Sequence, residues 1–125
     1  MSLCSELLSA MEGKTLATAE SCTGGGIGAA LTAVPGSSRV YKGGIISYWS
    51  EVKAKLLGVD LENLRRYGAV SEPVAREMAQ GVRRILETDA ALSVTGLAGP
   101  DGDEFGHPVG TVYIGYADAN ITQVR

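Results

Sequence analysis

The chain has 125 residues, 45% apolar and 20% charged, which is ordinary globular usage and excludes a disordered or low-complexity segment. Its net charge of −3 argues against a nucleic-acid-binding surface, and no apolar run approaches the ~20 residues of a membrane span. Glycine is the outlier, with 17 residues, 12 of them clustered at 24–28, 43–44, 96–102 and 106–115. The clusters follow no collagen period and point to tight loops where backbone approaches backbone or ligand.

In chain order, apolar Leu3, Leu7, Leu8 and Met11 predict an amphipathic helix over 3–11, with Ser2 as its cap. A short β-branched run predicts a strand over 15–19. The polar segment Glu20-Ser21-Cys22-Thr23 and three glycines then lead into a helix over 27–34, which Pro35-Gly36 stops. A second strand is predicted over 40–48, then a helix over 51–57 that ends at Gly58 and a short helix over 60–67. Ser71 is a candidate cap for a helix over 72–86, with Pro73 in its first turn, where the missing N–H does no harm. Strands follow over 90–95 and 109–116, separated by a glycine-rich loop, and a last strand begins at 121. The alternation predicts an α/β fold, a three-layer α/β/α sandwich with a mixed sheet, formed by a single domain over 1–125. The strand signal still running at Arg125 suggests a C-terminal part that is truncated.

No basic segment precedes an apolar one at the start, so no secretory leader is expected. Cys4 and Cys22 lack C-x-x-C spacing and read as free thiols of a cytoplasmic protein. His107 is the only histidine, which excludes a multi-histidine metal site. The pairs Arg65-Arg66 and Arg83-Arg84 read as solvated helix faces rather than nucleic-acid contacts.

Four readings compete around the first glycine cluster. Gly24-Gly25-Gly26-Ile27-Gly28-Ala29 fits the dinucleotide pattern G-x-G-x-x-G/A, with Glu51 where a ribose-binding acid would stand. In the second reading Ser21 is a nucleophile at a strand end, and the N–H groups of Cys22, Thr23 and Gly24 face a developing oxyanion. A serine needs a base. His107 serves only if its loop folds back, and of Lys14, Lys42, Lys53 and Lys55, Lys53 stands among apolar neighbours whose burial would lower its pKa. The third reading is Ser50-Glu51-Val52-Lys53 as an S-x-x-K pair, without the S-D-N and K-T-G elements that accompany it. In the fourth, the glycines only end strands and allow close helix–sheet packing.

The segment Ala19-Glu20-Ser21-Cys22-Thr23-Gly24-Gly25 resembles the A-E-S-C-T-G-G signature of the C-terminal domain of the competence/damage-inducible CinA proteins. Further blocks agree in order: Val34-Pro35-Gly36-Ser37-Ser38, the run from Tyr48 to Val59, and Gly68-Ala69-Val70-Ser71-Glu72 with Met78-Ala79. The last is Val94-Thr95-Gly96-Leu97-Ala98-Gly99-Pro100-Asp101-Gly102 with Pro108-Val109-Gly110-Thr111-Val112-Tyr113. Trp49 and Ser50 depart from the small polar pair usual before Glu51.

The family includes nicotinamide-nucleotide amidohydrolases, which convert nicotinamide mononucleotide to nicotinate mononucleotide and ammonia, a step of pyridine-nucleotide recycling. The resemblance implies that Ser21 attacks the carboxamide, Lys53 is its base and Tyr48 positions or relays the proton. It also implies that Cys22, Thr23, Gly24 and Gly25 surround the oxyanion or phosphate, Thr95 touches the substrate, and Gly99 and Pro100 line the pocket. No metal or cofactor is expected. The implied partners are a small nucleotide substrate and copies of the same chain, with no nucleic acid and no membrane. The family pattern runs on through a further strand and helix with a late anion-binding arginine, and it also occurs behind a larger domain tied to ADP-ribose pyrophosphatase activity. The alternative is an inactive or truncated module of the family with an interaction role in competence or the response to DNA damage.

Overall fold

The computed structural model describes residues 2–125. Five strands form one sheet in the order β2-β1-β3-β4-β5. These are β1 (Leu16–Glu20), β2 (Tyr41–Ile46), β3 (Ala90–Gly96), β4 (Val112–Ala117) and β5 (Thr122–Val124). β1 pairs in parallel with β2 and β3, whereas β3–β4 and β4–β5 are antiparallel, so the sheet is mixed as expected. Every residue of β1 is buried, the mark of a central strand covered on both faces.

The alternation of side chains along the strands divides the core in two. Ala17, Ala19 and Ala91 pack on one face against Val74, Met78 and Val82 of α5 (Glu72–Leu86) and Leu57 of α3 (Ser50–Leu57). On the other face Leu16 and Ala90 meet Leu8 of α1 (Leu3–Ala10) and Leu31 of α2 (Gly26–Thr32). Small alanines on the inner strands let α5 lie close to the sheet. The same closeness holds between helices, since a Cβ at Gly81 would overlap the Leu57 carbonyl oxygen. That contact seats the C-terminal end of α3, and with it the height of Lys53 over the sheet. The short α4 (Leu61–Tyr67) completes this layer.

Ser2 caps α1 by accepting the Ser5 N–H at 3.1 Å, as the sequence predicts. Ser71 occupies the cap position of α5 without a side-chain capping bond. Its hydroxyl is drawn instead to the Gly68 carbonyl, at 2.8 Å. The strand expected over 109–116 begins only at Val112. Gly110 stands at φ +95°, and the Thr111 hydroxyl donates to the Pro108 carbonyl at 2.7 Å, so the backbone turns before it extends. Among the described residues no helix is long and apolar enough to cross a membrane.

Candidate active site

In an open α/β sheet, ligands bind beyond the carboxyl ends of the strands, where consecutive connections leave in opposite directions. Here that point lies between β1, whose next strand β2 pairs on one side, and β3, which pairs on the other. Ser21 follows β1 directly, and Thr95 stands near the end of β3. A cavity of about 180 Å³ opens between them, and Ser21, Cys22, Tyr48, Lys53, Thr95 and Gly99 all line it.

α3 reaches this cavity from the side. Its two buried residues, Lys53 and Leu57, are one turn apart, so a lysine takes a place on the inward face that the pattern would give to an apolar residue. Lys53 is 1% exposed. Its Nζ donates to the carbonyls of Ser47 and Tyr48, at 2.6 and 3.3 Å, and to Ser21 Oγ at 2.9 Å. Burial pulls its pKa down from 10.5 to about 8, against a smaller opposing pull from the Cys22 sulfur. When the amine is neutral, two N–H bonds remain for the two carbonyls, and the lone pair faces the Ser21 hydroxyl. The backbone carbonyls therefore aim the amine as well as hold it.

The segment after Ser21 is bent by Gly24 and Gly25, at φ +60° and +105°. The Gly24 N–H donates to the Ser21 carbonyl at 3.0 Å and is spent. Among the described residues the N–H groups of Cys22, Thr23 and Gly25 have no protein acceptor, and of these three residues Cys22 alone lines the cavity, which leaves its amide as the donor available to an oxyanion. The start of α2 is not available for phosphate. Its Ile27 and Gly28 N–H groups donate to the buried Glu20 carboxylate, at 2.7 and 2.8 Å. That contact also removes the dinucleotide reading of the glycine run, because the amides that would cradle a pyrophosphate are occupied.

The remaining sequence candidates are spread out. Thr95 is fully buried and its hydroxyl donates to the Ala69 carbonyl at 2.8 Å. Tyr48 is 66% exposed at the cavity mouth and meets Lys53 through its carbonyl. Thr23, Gly24, Gly25 and Pro100 lie outside the cavity wall, and Thr23 and Pro100 are exposed. Ser50 is exposed at the first position of α3 and is not among the partners of Lys53, which disposes of the S-x-x-K pair. His107 is bound locally, its Nδ1 2.6 Å from Asp103 Oδ2, and it lines a separate cleft with Tyr67 and Phe105. The sequence reading missed Glu20 and the Ser47 carbonyl. A backbone oxygen leaves no trace in residue type, whereas Glu20 stood in plain view inside the signature.

The sequence profile of the CinA C-terminal domain matches residues 2–125. The chain belongs to the CinA C-terminal domain family. It is 60% identical over 104 residues to a CinA-like protein of Cyanothece sp., covering 83% of this chain and 25% of that protein. A CinA-like protein of Synechocystis sp. is 56% identical over 106 residues, covering 85% and 26%. The chain thus spans about a quarter of the length of these relatives. Among solved structures, the competence damage-inducible protein A (ComA) of Klebsiella pneumoniae superposes with a TM-score of 0.95 at 38% identity, covering 98% of this chain and 78% of that one. The competence/damage inducible protein CihA of Agrobacterium tumefaciens superposes with a TM-score of 0.93 at 37% identity, covering 98% and 76%. The mixed sheet and its helices are therefore the CinA-domain architecture.

Proposed function

We propose that this CinA-family domain hydrolyses a carboxamide, that of nicotinamide mononucleotide, through a Ser21–Lys53 pair. The observation that carries the reading is the 2.9 Å contact between a buried lysine amine and the hydroxyl of a strand-end serine. Neutral Lys53 takes the Ser21 proton as Oγ bonds to the carboxamide carbon. The carbonyl π electrons move to oxygen, and the Cys22 N–H receives the oxyanion. Collapse of the adduct breaks the C–N bond, and the Lys53 ammonium returns its proton to the departing ammonia. A water then gives its proton to Lys53 and adds to the acyl carbon, and collapse breaks the C–Oγ bond as the Lys53 ammonium returns that proton to Ser21 Oγ, releasing nicotinate mononucleotide. Each step needs one proton moved over one hydrogen bond, which a single aimed amine supplies without a metal or cofactor.

The site dimensions support a small planar head group. About 180 Å³ takes a pyridine carboxamide, and among the described residues Lys53 is the only cationic side chain in the wall. The phosphate of a mononucleotide would therefore lie outside this cavity. Ammonia release from nicotinamide mononucleotide, followed by coupled assay, tests the proposal. The expected result is turnover by the intact protein and none by Ser21→Ala. Absence of release from the wild-type protein, with Ser21 and Lys53 unmodified by mass, would favour the non-catalytic interaction module instead.

A further inference from the structure

Glu20 immediately precedes Ser21 and points to the opposite face of the sheet, with Leu16 and Thr18. It is 2% exposed. One oxygen accepts from the Thr23 hydroxyl and the Ile27 N–H, both at 2.7 Å, and the other from the Gly28 N–H at 2.8 Å and the Thr18 hydroxyl at 3.3 Å. Thr18 in turn shares a 2.7 Å hydrogen bond with the Tyr41 hydroxyl. All of these donors are neutral, and among the described residues no cation pairs with the carboxylate. A buried charge without a counter-ion is costly unless fixed dipoles replace its water.

The location of those dipoles indicates what the carboxylate does. Gly25, the cap residue of α2, has no side chain to offer, so Glu20 caps the helix from the strand. It thereby closes a loop from the residue before Ser21 across the turn to the first turn of α2. Cys22, whose unpaired N–H borders the cavity, lies inside that loop. Gly28 makes the closure possible, since a Cβ there would stand 2.7 Å from the Tyr41 hydroxyl and 3.3 Å from Glu20 Oε2. The backbone of Glu20 reaches the base as well. Its carbonyl accepts the Ser47 N–H at 2.7 Å, and the Ser47 carbonyl accepts from Lys53 Nζ at 2.6 Å.

We propose that Glu20 is a positioning residue that holds the Cys22 amide in the direction of the developing oxyanion. This rests on the reading of Ser21 as nucleophile. Its side chain lies on the far face of β1 and acts through the turn, so it takes no part in the proton transfers. A misdirected oxyanion donor lowers kcat more than substrate binding, because the charge it serves exists only in the transition state.

The test pairs Glu20→Gln with a neutral fluorophosphonate, a serine reagent whose adduct is read by intact mass and which needs no knowledge of the substrate. Glu20→Gln preserves shape but turns an NH₂ group toward an N–H or hydroxyl donor. We expect the labelling rate of Ser21 and kcat, each per folded molecule, to fall about 10- to 100-fold, with KM within about threefold and the alkaline rise of kcat/KM unmoved. A purely structural role would reduce the folded fraction and leave the rate per folded molecule intact. Labelling and kcat within twofold of wild type in folded Glu20→Gln would overturn the proposal. If Glu20→Gln does not fold, Glu20→Asp keeps the charge and shortens the reach; a severalfold loss of kcat at unchanged KM supports positioning, and wild-type kcat overturns it. Wild-type protein that labels at another residue and not at Ser21 removes the nucleophile, and Glu20's role falls with it.

Discussion

Two clefts lie at opposite ends of the sheet, and they treat their charged groups differently. At the amino ends of β1 and β3, a cleft of about 340 Å³ is lined by Lys14, Arg83, Asp89, Tyr116 and Asp118. Its polar groups serve the local chain. Asp89 accepts the Thr15 N–H and hydroxyl, Arg83 Nε donates to the Asp89 carbonyl, and Asp118 accepts from Asn120, Ile121 and Tyr116. At the carboxyl ends, the cavity of about 180 Å³ holds one cation, deprived of water and aimed at one hydroxyl. In the first cleft hydrogen bonds hold the Asp89 and Asp118 carboxyls below their ordinary pKa; in the second, burial brings an amine toward neutrality. The contrast locates reactivity in the mismatch between a group and its surroundings, not in the size of the opening.

The sharpest way to break this contrast is to remove the reactive pair. Ser21→Ala and Lys53→Met should each lower kcat by at least about 10³-fold, and the double variant should lose little more, because the two act as one unit. Independent, multiplying losses would count against a shared step. The next effect is on pH. With a Lys53 pKa of about 8, only about a tenth of the molecules carry a neutral base at pH 7, and about a hundredth at pH 6. The kcat/KM of the free enzyme should therefore rise about tenfold per pH unit below pH 8 and level off above it. A profile that is flat from pH 6 to 8 would remove Lys53 as the base.

Much of this arrangement could be read from the residues, and the unread part has physical causes. The helix over 72–86 was plain because Val74, Ala75, Met78 and Val82 recur at its period and Pro73 marks its start. Ser21 was legible as a strand-end residue before glycines. Among the four lysines, Lys53 stood out by its apolar neighbours, and the family signature pointed to the same residue. Its contact with Ser21 spans 32 residues and depends on how α3 seats against Gly81, which no local pattern records. Glu20 was hardest to read, since a carboxylate beside glycines looks solvated until its four neutral donors are placed around it. The start of β4 was misjudged for a similar reason, because β-branched Val109 and Thr111 argue for extension while Gly110 adopts φ +95°.

A buried amine should also register in stability. The folded pKa of Lys53, about 8, lies below the 10.5 of an unfolded lysine, so between those values the unfolded chain binds more protons. Stability contributed by this group is thus lowest below pH 8 and grows as pH rises toward 10.5. The gain is at most about 3 kcal/mol. Lys53→Met should abolish that slope while leaving all other titrations in place. The difference in unfolding free energy between wild type and Lys53→Met, measured by denaturant at pH 7 and pH 10, should shift in favour of wild type at the higher pH. Parallel curves would mean that the lysine is well solvated.

The smallest effects complete the contrast. Ser50→Ala alters a hydroxyl that shares a helical turn with Lys53 but points to solvent, so kcat should stay within about twofold of wild type. Asp89→Asn alters the far cleft. The Thr15 N–H and hydroxyl hold the Asp89 carboxyl below its ordinary pKa, so its contribution to stability is present above the unfolded value and lost as pH falls through the folded one. Asp89→Asn should lower Tm at neutral pH, narrow its fall toward acid and leave kcat unchanged. If instead kcat collapsed at constant Tm, the two ends of the sheet would be coupled through β1, and reactivity would no longer belong to one end.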